Sequence, residues 1–120
     1  MSDNRLRKIE NALFDMGIEP SMRGFYYIVE LTVGKIVNPT RPLQEMYDEI
    51  ASEHGITGGS VHKVVTRTVA LADARTPTYK KYIGSEFKTN SGFVSLLAFH
   101  IRRELEDEQN NTMRKNKRKS

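Results

Sequence analysis

The sequence predicts an all-α domain, a compact bundle of about six helices containing a helix-turn-helix. Three observations carry this prediction. Apolar residues recur at helical spacing in successive windows. Glycine and proline separate those windows. Between Tyr47 and Thr66, small, glycine and apolar residues fall where two short helices joined by a tight turn require them. A chain of 120 residues is long enough for one domain with one modest core.

The elements follow in chain order. Residues 5–16 set Leu6, Ile9, Leu13 and Met16 on one helical face, with Ala12 beside them. Gly17 suits the end of this helix, and Pro20 blocks its continuation. Ser21 is the expected N-cap of a second helix through Phe25, Ile28, Val29, Leu31, Thr32, Val33, Ile36 and Val37. That helix is apolar around much of its circumference, which marks it as central, with Tyr26 and Tyr27 in the core. Its β-branched and aromatic content also admits a strand over 25–33. Asn38-Pro39-Thr40-Arg41-Pro42 is a loop, because proline breaks a helix interior. From Leu43 to His54, Leu43, Met46, Tyr47, Ile50 and Ala51 share one face and the acids take the other, until Gly55 stops the helix.

Residues 56–60 form a turn, and a helix from about Ser60 carries Val61, Val64, Val65, Thr68, Val69, Leu71 and Ala72. Thr76-Pro77-Thr78 ends that region, and residues 79–83 make a short helix before Gly84. Thr89 or Asn90 caps a last helix through Phe93, Leu96, Leu97, Phe99, His100, Ile101 and Leu105. Residues 109–120, polar and basic with only Met113 apolar, are expected to be a disordered tail outside a domain spanning 1–108.

Composition narrows the chemistry. With no Cys there are no disulfides, Cys-ligated zinc, iron–sulfur clusters or Cys nucleophile. No apolar run approaches the roughly 20 residues that span a bilayer, and the N-terminus has no secretory apolar core. A cytoplasmic protein is the expectation. The net charge of +4 is unevenly spread. Residues 1–41 carry six bases and five acids; residues 42–55 carry four acids, Glu45, Asp48, Glu49 and Glu53, and no base. Residues 56–103 hold eight bases against Asp73 and Glu86, a net +6. Residues 104–111 are −4 and the last nine residues +5, so the +6 segment is the better pointer to an anionic partner.

That segment contains the informative unit. Ala51 is the small residue that lets a second helix approach, Gly55 is the turn residue, and Val61 sends an apolar side chain inward. Ile50, Ile56 and Val64 fill the other apolar positions. The second helix, about 59–75, is then the recognition helix, exposing Gly59, Ser60, His62, Lys63, Thr66 and Arg67. Ser60, His62, Lys63, Thr66 and Arg67 are the candidates for contacts to base edges in the major groove. Candidates for phosphate contacts are Gly59, Arg23, Arg41, Lys80, Lys81 and Lys88, with Arg114 and Lys115 in the tail.

Four ordered pieces resemble the C-terminal DNA-binding effector domain of the sporulation initiation response regulator family (stage zero sporulation protein A). Ile18-Glu19-Pro20-Ser21-Met22-Arg23-Gly24-Phe25 is similar to the family's Gly-(Val/Ile)-Pro-x-x-(Lys/Arg)-Gly-(Tyr/Phe). Met46-Tyr47-Asp48-Glu49-Ile50-Ala51 is similar to its Leu-Tyr-Pro-x-Ile-Ala. Thr57-Gly58-Gly59-Ser60-Val61-His62-Lys63 resembles its Thr-x-x-x-Val-Glu-Arg recognition segment, and Lys88-Thr89-Asn90-Ser91-Gly92-Phe93 its Lys-Pro-Thr-Asn-Ser-Glu-Phe. The resemblance as a whole covers residues from about 9 to 105. The resemblance implies a DNA-binding domain of about six helices and tandem pairing of copies on DNA. It departs where the family's basic residues fall on Ser60 and Thr66 and its Glu on His62; Lys63 keeps the charge. A different target site follows, and the 120 residues leave no room for the family's phosphoacceptor receiver.

The expected function is therefore sequence-specific double-stranded DNA binding and transcription regulation. The alternative is a protein-interaction module of the same fold that binds another regulator or RNA polymerase. No nucleophile–base pair, paired carboxylates or Gly-rich phosphate loop points to an enzyme, and no cofactor or small-molecule substrate is expected. His54, His62 and His100 show no metal-binding spacing, and His100 reads as a packing residue.

Overall fold

Each helix boundary has a local cause. The computed structural model describes residues 2–84 and 89–119 and contains α1 (Ser2–Asp15), α2 (Arg23–Val37), α3 (Leu43–His54), α4 (Gly58–Ala70), α5 (Pro77–Tyr82) and α6 (Asn90–Lys119). No strand occurs among the described residues, so the all-α expectation holds and 25–33 is helix. The run is apolar on several sides because α2 packs against α1, α3, α4 and α6, not because it lies in a sheet.

α1 closes where Gly17 turns left-handed at φ 94° and Ile18 donates back to the Leu13 carbonyl at 3.0 Å, burying Ile18. Ser21 does not cap α2. Residues 19–22 make a turn closed by Met22 N–H on the Glu19 carbonyl (3.1 Å), so Ser21 lies inside that turn and extended Met22 precedes the helix. Hydroxyl caps do open α4, α5 and α6. Thr57 Oγ1 accepts from Ser60 N–H (3.1 Å) and starts α4 at Gly58. Thr76 Oγ1 accepts from Tyr79 N–H (3.1 Å), with Pro77 in the first turn of α5. Thr89 Oγ1 accepts from Gly92 N–H (3.0 Å) at the start of α6.

Two expected boundaries are corrected. The helix expected over about 59–75 ends at Ala70. Leu71 and Ala72 N–H close tight bonds to Thr68 and Val69 carbonyls, and Asp73 N–H then donates to the Met16 carbonyl (2.8 Å), drawing the chain onto the end of α1. The tail expected to lack structure continues α6 as helical backbone from 109 to Lys119. Extending a formed helix avoids the nucleation cost that an isolated segment would meet.

α2 is the axis of the core. Phe25, Ile28 and Leu31 on α2 join Ile9 and Leu13 of α1, Met16 just after it, Val61 and Val65 of α4, and Phe93, Leu97 and Ile101 of α6 in one core, all fully buried or nearly so. α2 and α4 come close together at Gly24. A Cβ there would overlap the Thr68 side chain, which is itself 4% exposed and donates its hydroxyl to the Val64 carbonyl at 2.7 Å. Tyr27 is core as expected, whereas Tyr26 is 50% exposed and lies edge-on to Phe25. Val37, Leu71 and Phe99, assigned to apolar stripes, are also exposed.

Polar contacts join α1, α5 and α6. Glu104 accepts from Tyr82 Oη (2.8 Å) and pairs with Lys81 (2.8 Å), while Lys8 pairs with Glu108 (2.6 Å) and Glu104 (3.6 Å). Burial alone would raise the Glu104 carboxyl, but bonds from Lys81 and Tyr82 and the Lys81 and Lys8 charges hold it below the ordinary 4.5. The Lys8 bond holds Glu108 down likewise.

Two outcomes follow. Gly24→Ala is expected to lower stability by about 1–3 kcal/mol, since backbone or Thr68 must move. Gly59→Ala, with only Thr57 Oγ1 near its Cβ position at 3.8 Å, should be neutral or stabilising by about 0.5–1 kcal/mol. Urea unfolding midpoints check both. Because Glu104 and Glu108 have folded pKa values below their unfolded ones, their stabilisation is complete above pH 4.5 and is lost as pH falls through the depressed values. The urea midpoint should fall over that window, and Glu104→Gln should flatten the fall.

Candidate nucleic-acid interface

The helical period of α4 sorts its side chains. Val61, Val65 and Thr68 face the core, and Gly59, Ser60, His62, Lys63, Thr66 and Arg67 face outward. The five residues expected to meet bases thus share the exposed side of one helix. Their hydrogen-bonding freedom differs. The Ser60 hydroxyl lies 3.0 Å from Thr57 Oγ1. The Thr66 hydroxyl donates to the His62 carbonyl (2.8 Å) and accepts from Asn90 Nδ2 (2.8 Å). The His62 ring stands edge-on to Tyr47 at 5.4 Å. Lys63 and Arg67, one turn apart, have no acidic partner among the described residues.

Asn90 is the residue that sequence reasoning passed over, treating it only as a cap. Its amide spans the first turn of α6, α4 through Thr66, and α3 through the Tyr47 hydroxyl at 3.4 Å. Burial pushes the Tyr47 hydroxyl up, against a smaller opposing effect of Asn90. No spacing rule announces such a strut, because its partners lie 24 and 43 residues away.

The phosphate candidates separate by charge environment. Arg23 and Arg67 line one shallow depression with Met22, Gly24, Val64, Thr68 and Leu71. Arg41 is turned to its own acids, Glu49 at 2.7 Å and Glu45 at 3.6 Å. Lys81 is paired with Glu104 and lies over the Tyr82 ring. Lys80 is exposed on α5, which packs on α1 and α6. Gly59 is exposed, but the Asp48 carboxylate lies against the neighbouring Gly58 and faces the mouth of α4. Lys88 and the side chains of Arg114 and Lys115 lie outside the described residues.

A second cluster also went unread. Glu30 of α2 meets Glu53 and His54 from the last turn of α3, with one potential ligand atom from each within 4.8 Å of the others. Burial and the Glu53 charge push the Glu30 carboxyl up, with His54 opposing. Glu30 stands 23 residues before Glu53, and only the packing of α2 on α3 brings them together. The depression beside Arg23, at about 210 Å³, is open and shallow. No helix among them is long and apolar enough to cross a membrane.

No protein-family model matches the chain, nor does any curated protein or solved structure.

The strut has a measurable strength. Asn90→Ala and Thr66→Val should each cost about 1 kcal/mol in urea unfolding, and the double-mutant cycle should return a coupling of about 0.5–1.5 kcal/mol.

Proposed function

We propose that this chain binds double-stranded DNA sequence-specifically and regulates transcription, with α3 and α4 acting as a helix-turn-helix and α4 as the helix that enters the major groove. The observation that carries the reading is the pair Lys63 and Arg67. They are exposed on successive turns of α4 with no acid neutralising either among the described residues, while Arg41 and Lys81 are held by glutamates. Supporting it are the three-residue turn from His54 to Gly58, with Gly55 left-handed at φ 66°, and the four motif resemblances in the sequence. Lys63 and Arg67 offer donors to guanine acceptors or phosphate. His62 supplies a further ring, and the engaged hydroxyls of Ser60 and Thr66 serve as secondary contacts. Arg23, beside Arg67 on the same depression, is the strongest of the phosphate candidates. Two copies pairing in tandem, a cytoplasmic location and a contact to RNA polymerase belong to this proposal.

A second reading has its own observation. The depression beside Arg67 combines two guanidinium groups with Leu71, which is 54% exposed. An apolar, acidic segment of a regulator or polymerase subunit would suit it, leaving DNA binding weak.

Selection from a random duplex pool at moderate salt should enrich one motif. Lys63→Ala and Arg67→Ala should each weaken the selected complex by about 1–3 kcal/mol. Deleting residues 112–120, which carry five bases, should lower affinity for all duplexes and flatten its salt dependence while leaving sequence preference intact. No enriched motif, together with a stoichiometric protein partner that survives nuclease, would transfer the function to the second reading.

A further inference from the structure

On the side of α2 that packs toward α3, the geometry points to a second site: we propose that Glu30, Glu53 and His54 bind a divalent transition-metal ion, zinc above all. The site is independent of the α4 reading. Three donors from two helices converge there, one imidazole nitrogen and two carboxylate oxygens, all within 4.8 Å of one another. In a tetrahedral zinc site with ligand bonds of about 2.0–2.2 Å the donors stand roughly 3.3 Å apart. Exposed side chains close that difference by rotation, without moving the helices.

Charge argues in the same direction. Two carboxylates face each other, and neither has a Lys or Arg ion-pair partner among the described residues. A divalent cation neutralises this pair. The donor set selects the ion: an imidazole favours zinc, nickel or cobalt over magnesium or calcium, which prefer oxygen alone. The His54 ring stands edge-on to the buried Tyr27 ring at 5.4 Å. Three protein ligands leave the remaining coordination to water. The ion would tie α2 to the last turn of α3, directly before Gly55, and so brace the turn that launches α4.

Titration of the full chain with zinc chloride in a calorimeter is expected to show one equivalent bound. His54→Ala, Glu53→Gln and Glu30→Gln should each weaken binding about tenfold or more, and His62→Ala and His100→Ala should leave it unchanged. Cobalt chloride should give visible absorption bands that lose intensity or shift with His54→Ala, and zinc should raise the thermal midpoint of the wild-type chain but not of the Glu30→Gln/His54→Ala variant. Circular dichroism verifies that these surface variants stay folded. Absence of one-equivalent binding, or zinc binding that is unchanged in the Glu30→Gln/His54→Ala variant or lost with His62→Ala or His100→Ala, overturns the proposal.

Discussion

The crossing of α2 and α4 at Gly24 and Thr68 is the constraint on which the rest of the structure depends. Helix axes normally stand about 8–10 Å apart because side chains separate them. Here one partner has no side chain at the contact, and the other turns its hydroxyl inward to its own helix at Val64. That close seating buries Val61 and Val65 against Phe25 and Ile28. It also fixes the rotation of α4 about its axis, which in turn decides that Lys63 and Arg67 face out. An alanine at position 24 would disturb the core and the candidate interface through one contact.

Around that crossing, polar groups are sorted by local pairing. Glutamates take up Arg41, Lys81 and Lys8, while the bases of α4 have no acidic partner among the described residues. Asn90 performs the complementary task, occupying the Thr66 hydroxyl and tying α6 to α3 and α4. The outward face of α4 is thus narrower chemically than its residue types suggest: two cations with no acidic partner among the described residues, one histidine leaning on Tyr47, and two hydroxyls already in use. The same packing of α2 on α3 that supports this face brings Glu30 to Glu53 and His54 at its other side.

The bounds of α3 were legible in the sequence, from Leu43 to His54 and the stop at Gly55, because one apolar face and one glycine specify them locally. Thr76-Pro77 was equally clear as a punctuation point, and the structure makes it the start of α5. The start of α2 was not legible. Ser21 has the right chemistry for a cap, but the turn after Pro20 consumes it. The end of α4 was missed for a similar reason: Leu71 and Ala72 continue the apolar spacing, yet the bond from Asp73 N–H to Met16 pulls the chain away. Tyr26 and Phe99 read as core from hydropathy, and only their rotation about the helix axes leaves them exposed, while Leu71 lies just beyond the end of α4.

The sequence by itself determined the helical class, the turn at Gly55 and the alternation on α4 that exposes Ser60, His62, Lys63, Thr66 and Arg67. These properties are local, since a 3.6-residue period and a left-handed glycine act within a few positions of the chain. Only the tertiary structure decided which of those polar groups remain free, that Asn90 braces Thr66 and Tyr47, and that Glu30 meets Glu53 and His54. The Asn90 and Glu30 contacts join residues 23 to 43 positions apart. Such contacts come from the packing of separate helices, α6 on α3 and α4 and α2 on α3, and no pattern along one helix encodes them.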